Sequence, residues 1–407
     1  MLRNEFLMAG LTLCAVACVD AETETGDTKE GATAQSAERE SLVYEPGFSS
    51  GGFEYDPSEG IAAGGLDGVE TEKGIEVKSP VRAEDCGSDQ KGVFPGTTHF
   101  GDLTDLSEIP SRVEFVTGDV IISADAKVTS LEALRCIVTI GGTLQIEGLP
   151  GVKRFNMPRL VAAGDLEIDS MKGLHSVSMP ALKMLDSLSV TKAPALERLW
   201  MPRVKVLNQG LNLEDIAVFS LEGTLPRLES AGSVALMDLP QLEALDHAPI
   251  DLAGGDLTLS GLDGLETLDG FPFDAVGSIE ISQNADLLST IGATVLDDAD
   301  VLIAENPALV DLKILSGVVA LDALELSTNK ALSTVEDLAS LDAVAGDLVI
   351  DDHPALVDYS GIFGLAEVGG DLRITGAQAL SVDELGTLEA NVSAIAVEGD
   401  VVVAGVE

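Results

Sequence analysis

A short motif of apolar and polar positions recurs along most of the chain with a period near 23 residues. In its clearest copy, Gly346-Asp-Leu-Val-Ile350 precedes a polar turn, and Leu356 follows ten residues after the glycine. Counted from that glycine position, the third and eleventh positions are apolar in every copy. Copies begin at positions 118, 142, 164, 186, 209, 232, 255, 277, 299, 322, 346, 370 and 393, so successive spacings are 22, 23 or 24. A repeat this regular is typical of a solenoid.

Each copy has space for three short strands and the turns between them. The Leu-x-Ile positions place two side chains on one face, as a strand requires. A second apolar segment follows the turn, as in Leu309-Val-Asp-Leu312, and a third precedes the next glycine, as in Met157-Pro-Arg-Leu160. This leaves no room for a ten-residue helix. The pattern predicts an all-β solenoid of about thirteen coils of 22–24 residues, stacked about 4.8 Å apart.

These repeats resemble the receptor L-domain family. The resemblance is carried by the Gly-Asp-Leu-x-Ile units, by Asn306-Pro-Ala-Leu309 and by the opening segment 131–146. It implies a right-handed β-helix related to leucine-rich repeats, over residues 86–407. Thirteen coils are about double one L-domain, so one long array and two fused modules both remain open. The alternative fold is a leucine-rich-repeat horseshoe, which Leu321-x-x-Leu-x-Leu-x-x-Asn329 fits locally.

The first 17 residues have the character of an export signal. Arg3 supplies a basic start, and Phe6 to Ala17 forms an apolar run too short to span a bilayer. Ala15-Val-Ala17 before Cys18 resembles the lipobox of bacterial lipoproteins, which implies that Cys18 is lipidated and becomes the mature N-terminus. The alternative is an ordinary signal peptide cut near Ala17. We therefore expect a lipid-anchored protein of the bacterial cell envelope, at the outer membrane or cell surface.

The segment 18–85 lacks a sustained apolar period and is rich in Glu, Thr, Ser, Gly and Asp. Such a composition buries too little apolar surface to offset the entropy of ordering it. We expect it to be a disordered acidic tether.

Two cysteines remain in the exported part after Cys18. Cys136 falls in the first coil, and Cys86 lies just ahead of the array, where a solenoid needs a cap. In an oxidising envelope we expect these two to form a disulfide, and the alternative is two free thiols.

Composition and motifs narrow the classes of function. A formal charge of −46 argues against nucleic acid as a partner, because binding phosphates requires clustered Lys and Arg. The four histidines lack metal-ligand spacing, and His353 shares the turn position of Asn284, Asn306 and Asn329. No nucleophile or phosphate-binding motif is present, so the sequence predicts no catalytic residue, no metal and no cofactor. The recurrent Asp after Gly, as at Asp347, is interpreted as a turn residue, with a calcium ligand as the alternative.

Charge is distributed unevenly along the repeats. Residues 142–231 hold ten basic and ten acidic residues, whereas only Lys313, Lys330 and Arg373 are basic from 232 onward. The single tryptophan, Trp200, lies in the balanced region, and Leu199 beside it fills an apolar position. We therefore expect Leu199 to point inward and Trp200 outward. The candidate partner-binding residues are Arg154, Arg159, Arg198, Trp200, Arg203 and Lys205.

These features favour a non-enzymatic lipoprotein that displays a β-solenoid to a protein or glycan ligand. The competing classes are a β-helix enzyme that degrades polysaccharides with paired carboxylates, and a passive structural spacer.

Overall fold

The structure is a computed structural model that describes residues 92–94, 98–99, 113–123, 128–274, 276–292 and 295–404. The predicted signal, tether, Cys18 and Cys86 lie outside these residues.

The described part is nearly all β. Its strands are β1 (Gly92–Phe94), β2 (Thr98–His99), β3 (Val113–Val116), β4 (Val120–Ile122), β5 (Thr139–Ile140), β6 (Leu144–Glu147), β7 (Arg154–Asn156), β8 (Asp165–Asp169), β9 (Ser176–Ser178), β10 (Leu185–Ala193), β11 (Arg198–Trp200), β12 (Val206–Ile216), β13 (Ser230–Ala231), β14 (Val234–Met237), β15 (Ile250–Asp251), β16 (Asp256–Ser260), β17 (Phe273–Asp274), β18 (Ser278–Ser282), β19 (Ala299–Ala304), β20 (Ala320–Ser327), β21 (Ala343–Val344), β22 (Leu348–Asp351), β23 (Glu367–Val368), β24 (Leu372–Thr375), β25 (Ala396–Val397) and β26 (Val401–Val403). Short 3-10 helices cover Glu132–Cys136, Lys313–Leu315, Glu336–Leu338 and Ser360–Ile362, and one α-helix, α1, covers Val382–Val392.

The strands stack in parallel, and each pairs with the strand one turn earlier, so the chain forms a β-solenoid. The Leu-x-Ile strands make the first side. Their third positions lie in register over eleven turns: Val120, Leu144, Leu166, Leu188, Leu211, Val234, Leu257, Ile279, Val301, Leu324, Leu348 and Leu372. All twelve side chains are at most 3% exposed. The predicted fold class and the predicted register of these positions are confirmed.

A second side is built from shorter strands just before each repeat's glycine position, among them β13, β15 and β17, and later β21, β23 and β25. The third side differs along the chain. In the N-terminal turns it begins with the 3-10 helix Glu132–Cys136 and continues with the strands β7, β9 and β11. In the C-terminal turns the 3-10 helices Lys313–Leu315, Glu336–Leu338 and Ser360–Ile362 lie at the corresponding place.

One corner of the backbone is repeated in turn after turn. The seventh position of the motif is left-handed from Gly148 to Gly376, with φ between 50° and 69°. Its residues are Gly148, Ser170, Lys192, Asp215, Asp238, Gly261, Gln283, Glu305, Thr328, Asp352 and Gly376. This corner turns the chain inward, so the eighth position is buried.

In the C-terminal turns that buried eighth position is polar. Asn284, Asn306, Asn329 and His353 are each at most 1% exposed and form a ladder along the core. The backbone N–H of Asn284 donates to Asn306 Oδ1 at 3.0 Å, and the N–H of Asn306 donates to Asn329 Oδ1 at 3.0 Å. The amide groups donate in turn to backbone carbonyls, as from Asn306 Nδ2 to Ile281 O at 2.9 Å. These bonds satisfy backbone groups that would otherwise be buried without a partner.

His353 continues this ladder with an imidazole. Its Nδ1 accepts the backbone N–H of Asn329 at 3.2 Å, as the amide oxygens do in the preceding turns. Burial lowers the pKa of His353, although the backbone groups of Asn329 and Leu326 and the carboxylates of Asp351 and Asp352 act in the opposite direction. The neutral ring therefore fills the ladder position.

Two predictions of register are wrong at particular turns. Phe219 occupies an eleventh position but is 56% exposed, and the neighbouring Val218 points into the core instead. The pattern predicts a last copy at 393 with Ile395 in the third position. The structure pairs Leu372 with Val401, a spacing of 29 residues, and inserts α1 between them.

The physical reason for the longer last turn is visible in its sequence. Ser381 and Glu384 form a capping box, in which each side chain accepts the other's backbone N–H. Leu388 and Val392 then follow at helical spacing and are buried against the core. The expectation that no turn has room for a helix of ten residues is therefore wrong for this turn.

Candidate binding surface

The strands β7, β9 and β11 present a regular row of side chains. Phe155, Val177 and Leu199 point inward and are at most 2% exposed. On one side of this apolar row, Arg154, Ser176 and Arg198 lie in register. Because strands in a sheet are about 4.8 Å apart, Arg154 and Arg198 are separated by about 10 Å along the solenoid. Both arginines are exposed.

Trp200 lies in the parallel row on the other side of Leu199, in register with Ser178 and Asn156. Leu199 is 1% exposed, whereas Trp200 is half-buried, as expected from the apolar pattern. The Trp200 carbonyl accepts the backbone N–H of Met179 at 3.0 Å, so the preceding turn holds the strand in place. The indole is therefore carried by a fixed part of the backbone.

The turn that follows each of these strands repeats a Met-Pro sequence. Met157, Met179 and Met201 are fully buried. Two residues further on, the equivalent positions hold Arg159 and Arg203, with Ala181 in the turn between them. The buried methionines thus fix the backbone positions from which these arginines project.

The six predicted binding residues differ in how they are paired. Arg159 forms an ion pair with Glu114 at 3.2 Å, and Lys205 forms one with Glu229. Arg154, Arg198 and Arg203 have no carboxylate within 4.0 Å among the described residues. We refer to Arg154, Arg198, Trp200 and Arg203 as the arginine surface.

Charge is also segregated around each turn, which the linear sequence did not reveal. Of the ten acidic residues between 142 and 231, seven belong to strands of the first side: Glu147, Asp165, Glu167, Asp169, Asp186, Glu214 and Asp215. Nine of the ten basic residues lie outside those strands, and the exception is Lys192. A region that is neutral overall therefore has one acidic side and a basic remainder.

The acidic groups of the first side are held by hydrogen bonds between turns. Ser187 donates to Asp165 and Ser278 donates to Asp256, each at 2.6 Å. Burial raises the pKa of Asp169, but hydrogen bonds from Thr191 and Ser170 and the charge of Lys192 outweigh it, and the pKa is lowered. The contacts of Asp169 therefore favour its ionised form.

The recurrent Asp after Gly has a structural role at three turns. Asp347 Oδ1 accepts the backbone N–H of Asp371 at 2.8 Å, and Asp371 Oδ1 accepts that of Asp400 at 2.9 Å. The same contact joins Asp119 to the N–H of Thr143 at 2.9 Å. Each carboxylate also leans over the glycine of the next turn, so a Cβ at Gly370 would lie 2.2 Å from Asp347 Oδ1. The interpretation as a turn residue is supported at these positions.

A shallow groove of about 490 Å³ lies on the first side of the C-terminal turns. Its floor includes Leu302 and Val349, and its carboxylates are those of Asp256, Glu280, Asp300, Glu325 and Asp347. Within the described ranges, no group of three or more His, Cys, Asp or Glu residues is arranged to hold a metal ion.

Cys136 ends the first 3-10 helix, is 4% exposed and is disulfide-bonded. Its partner lies outside the described residues, so the pairing with Cys86 stays a prediction.

The helices in the described part of the chain are all too short or too polar to cross a membrane. No protein-family model, curated protein or solved structure matches the chain. The solenoid architecture therefore stands on the structure alone.

Proposed function

We propose that the protein is a non-enzymatic, lipid-anchored envelope protein that uses its β-solenoid to bind a partner. The observation that carries this proposal is the arginine surface. In a chain of formal charge −46, three exposed arginines have no described acidic partner and lie around a half-buried tryptophan. Trp and Arg are the residues most enriched among those that dominate binding energy at interfaces.

The scaffold beneath this surface supports the proposal. Inward residues such as Phe155 and Leu199 are locked in the core, and the strands that carry them, β7 and β11, both pair with β9 between them. A surface that is already ordered loses little conformational entropy on binding. A passive spacer would gain nothing from leaving cations unpaired on an acidic protein.

The proposed location rests on the sequence before Cys18, and the receptor L-domain resemblance supports display at a cell surface. The polysaccharide-degrading enzyme remains the competing class. It predicts activity that depends on carboxylates of the acidic groove, whereas our proposal predicts binding that depends on the arginine surface.

The test uses the full chain in two steps. Cys18→Ala should move the protein from the membrane fraction to the soluble fraction, and unchanged membrane partitioning would refute the anchor. The purified chain should then retain a partner from envelope extract, and Trp200→Ala with Arg203→Ala should abolish that retention at an unchanged melting temperature.

A matched control removes two exposed cations from the acidic half, as Lys330→Ala with Arg373→Ala. It should leave retention intact. Equal loss in both double variants would show that general charge, and not this surface, determines binding.

A further inference from the structure

We propose that the arginine surface binds a linear acidic polysaccharide that lies along the solenoid axis. This inference rests on the proposed binding function and adds the chemical class of the partner. It depends on three features of the described residues: the segregation of charge, the spacing of the arginines and the position of Trp200.

The charge around these turns favours an anionic partner. Outside the strands of the first side, residues 142–231 carry nine basic residues and only three acidic ones, Glu197, Glu222 and Glu229. Glu229 is already paired with Lys205. An anion at this surface therefore meets an excess of cations, although the protein as a whole is strongly acidic. Beyond about 10 Å at 0.1 M salt the remaining acidic charge is screened, so the local cations dominate.

The spacing favours a polymer with charges at regular intervals. Arg154 and Arg198 occupy the same row two turns apart, and Arg159 and Arg203 repeat that separation at the following turn of the chain. The next repeat has Leu225-Pro-Arg227 where the previous one has Met201-Pro-Arg203, and Arg227 is also exposed. The cations thus lie along the axis one or two strand spacings apart, which is about 4.8 or 10 Å. A straight chain with repeated carboxylates can contact several of them together.

Trp200 favours a sugar polymer over other polyanions. Its half-buried ring lies between the Arg198 row and the turn that carries Arg203. The ring offers an apolar surface with a polar N–H, and the apolar face of a sugar ring can pack against it while its carboxylate reaches a guanidinium. Nucleic acid would also stack on an indole, so it must be a separate arm of the test.

The experiment measures binding of the full chain to polygalacturonate near 0.1 M salt, with uncharged dextran as the reference polymer. Wild type should bind polygalacturonate and not dextran. Arg154→Ala with Arg198→Ala should weaken binding roughly tenfold or more, because two charge-assisted contacts are lost. Lys330→Ala with Arg373→Ala removes the same charge elsewhere and should change the affinity less than about twofold. Circular dichroism and melting temperature confirm that both variants fold.

Several outcomes would overturn the inference. They are absence of binding to polygalacturonate, equal binding to dextran, equal weakening in both variants, or tighter binding to single-stranded DNA or to polyglutamate. If the envelope-extract experiment still depends on Trp200 and Arg203 while polygalacturonate does not bind, the binding surface stands and only the sugar assignment fails. If neither experiment depends on these residues, both proposals fail.

Discussion

The N-terminal and C-terminal halves of the solenoid bury chemically different residues after the same backbone corner. Both bury the eighth position of the motif after a left-handed corner. In the N-terminal half this position is apolar: Leu149, Met171, Ala193, Ile216, Leu239 and Leu262. In the C-terminal half it is Asn284, Asn306, Asn329 and His353, followed by the apolar Ala377 at the last such corner. Equal burial therefore does not require equal chemistry, because the buried amides of the ladder have hydrogen-bond partners, although Nε2 of His353 is buried without one among the described residues.

Hydrogen bonding between successive turns stabilises the corner in both halves. In the N-terminal half, strand pairing continues through the corner only between β10 and β12, where Ala193 pairs with Ile216, while β6, β8, β14 and β16 end before it. In the C-terminal half, β18, β19, β20 and β22 end before it, and the asparagine side chains take over the bonds to the next turn. The halves meet where the backbone N–H of Leu262 donates to Asn284 Oδ1 at 2.9 Å.

The third side shows the same contrast in its use of cations. In the C-terminal half, Lys313 Nζ lies 2.5 Å from Asp337 Oδ1, and that carboxylate also accepts the backbone N–H of Leu312 at 3.0 Å. This hydrogen bond and the charge of Asp337 raise the pKa of Lys313. Lys313 is thus part of the scaffold, whereas Arg154 and Arg198 lie on strands whose stability comes from the residues between them. Lys330 and Arg373 of the C-terminal half also lack a carboxylate within 4.0 Å among the described residues, but only the N-terminal half places such cations beside a tryptophan.

Replacing a ladder asparagine with leucine, or a buried leucine with asparagine, should have the largest effect on stability. Asn306→Leu keeps the number and branching of the side-chain heavy atoms but leaves the Asn284 N–H and the Ile281 carbonyl without their partners. We expect a loss of roughly 3 kcal/mol in the free energy of unfolding, from about 1–3 kcal/mol for each unpaired buried group. Leu239→Asn buries an amide with no ladder beside it and should also lose about 1–3 kcal/mol. Urea denaturation at neutral pH measures both.

The reciprocal design separates hydrogen bonding from packing. If Asn306→Leu is as stable as wild type, the ladder contributes nothing that an apolar residue cannot supply. If Leu239→Asn is neutral, the N-terminal turns hold a suitable partner for an amide, and the contrast between the halves is wrong.

His353 makes the stability of the protein sensitive to pH. Burial lowers its pKa in the folded state below the ordinary value of 6.5. As the pH falls through about 6.5, the unfolded chain takes up a proton that the folded chain does not, so the free energy of unfolding decreases. The decrease continues until the pH reaches the lowered pKa of the folded state. His353→Asn should remove this component, because an amide fills the position without titrating.

Denaturation curves at about pH 7.5, 6 and 5 measure the effect as the difference between wild type and His353→Asn. His175→Asn is the control, since His175 lies on an exposed turn and should leave the difference unchanged. A pH dependence that is identical in wild type and His353→Asn would show that protonation of this ring does not oppose folding.

The period of the sequence was sufficient to predict the architecture. A buried third position every 22–24 residues determines which strands stack, because a shift by one residue would turn every apolar side chain outward. The shared position of His353 and the three asparagines was also visible, since equal spacing places them in one column. Leu199 and Trp200 could be assigned to opposite faces from alternation alone.

Other features depend on contacts that spacing does not reveal. Glu114 reaches Arg159 across 45 residues, so the pairing that separates Arg159 from Arg203 required the structure. The segregation of charge required knowing which residues belong to the first side. The repeat does not predict α1, because its period continues through this segment, whereas the capping-box spacing of Ser381 and Glu384 does indicate a helix there.

The smallest effect concerns the corner that both halves share. Thr328 in the C-terminal half and Asp215 in the N-terminal half have φ values of 55° and 50°. A left-handed residue other than glycine costs about 1–2 kcal/mol, and most for a β-branched side chain, whereas the short polar side chain of Asp tolerates this conformation. A glycine at this corner avoids that backbone cost, but the gain is partly offset by the greater entropy that glycine loses on folding. Thr328→Gly should therefore raise the free energy of unfolding by about 0.5–1 kcal/mol and Asp215→Gly by only a few tenths. Thermal and urea denaturation of both variants check this order.

If Thr328→Gly is destabilising, the threonine side chain contributes a contact that outweighs its backbone cost, and the corner is not equivalent in the two halves.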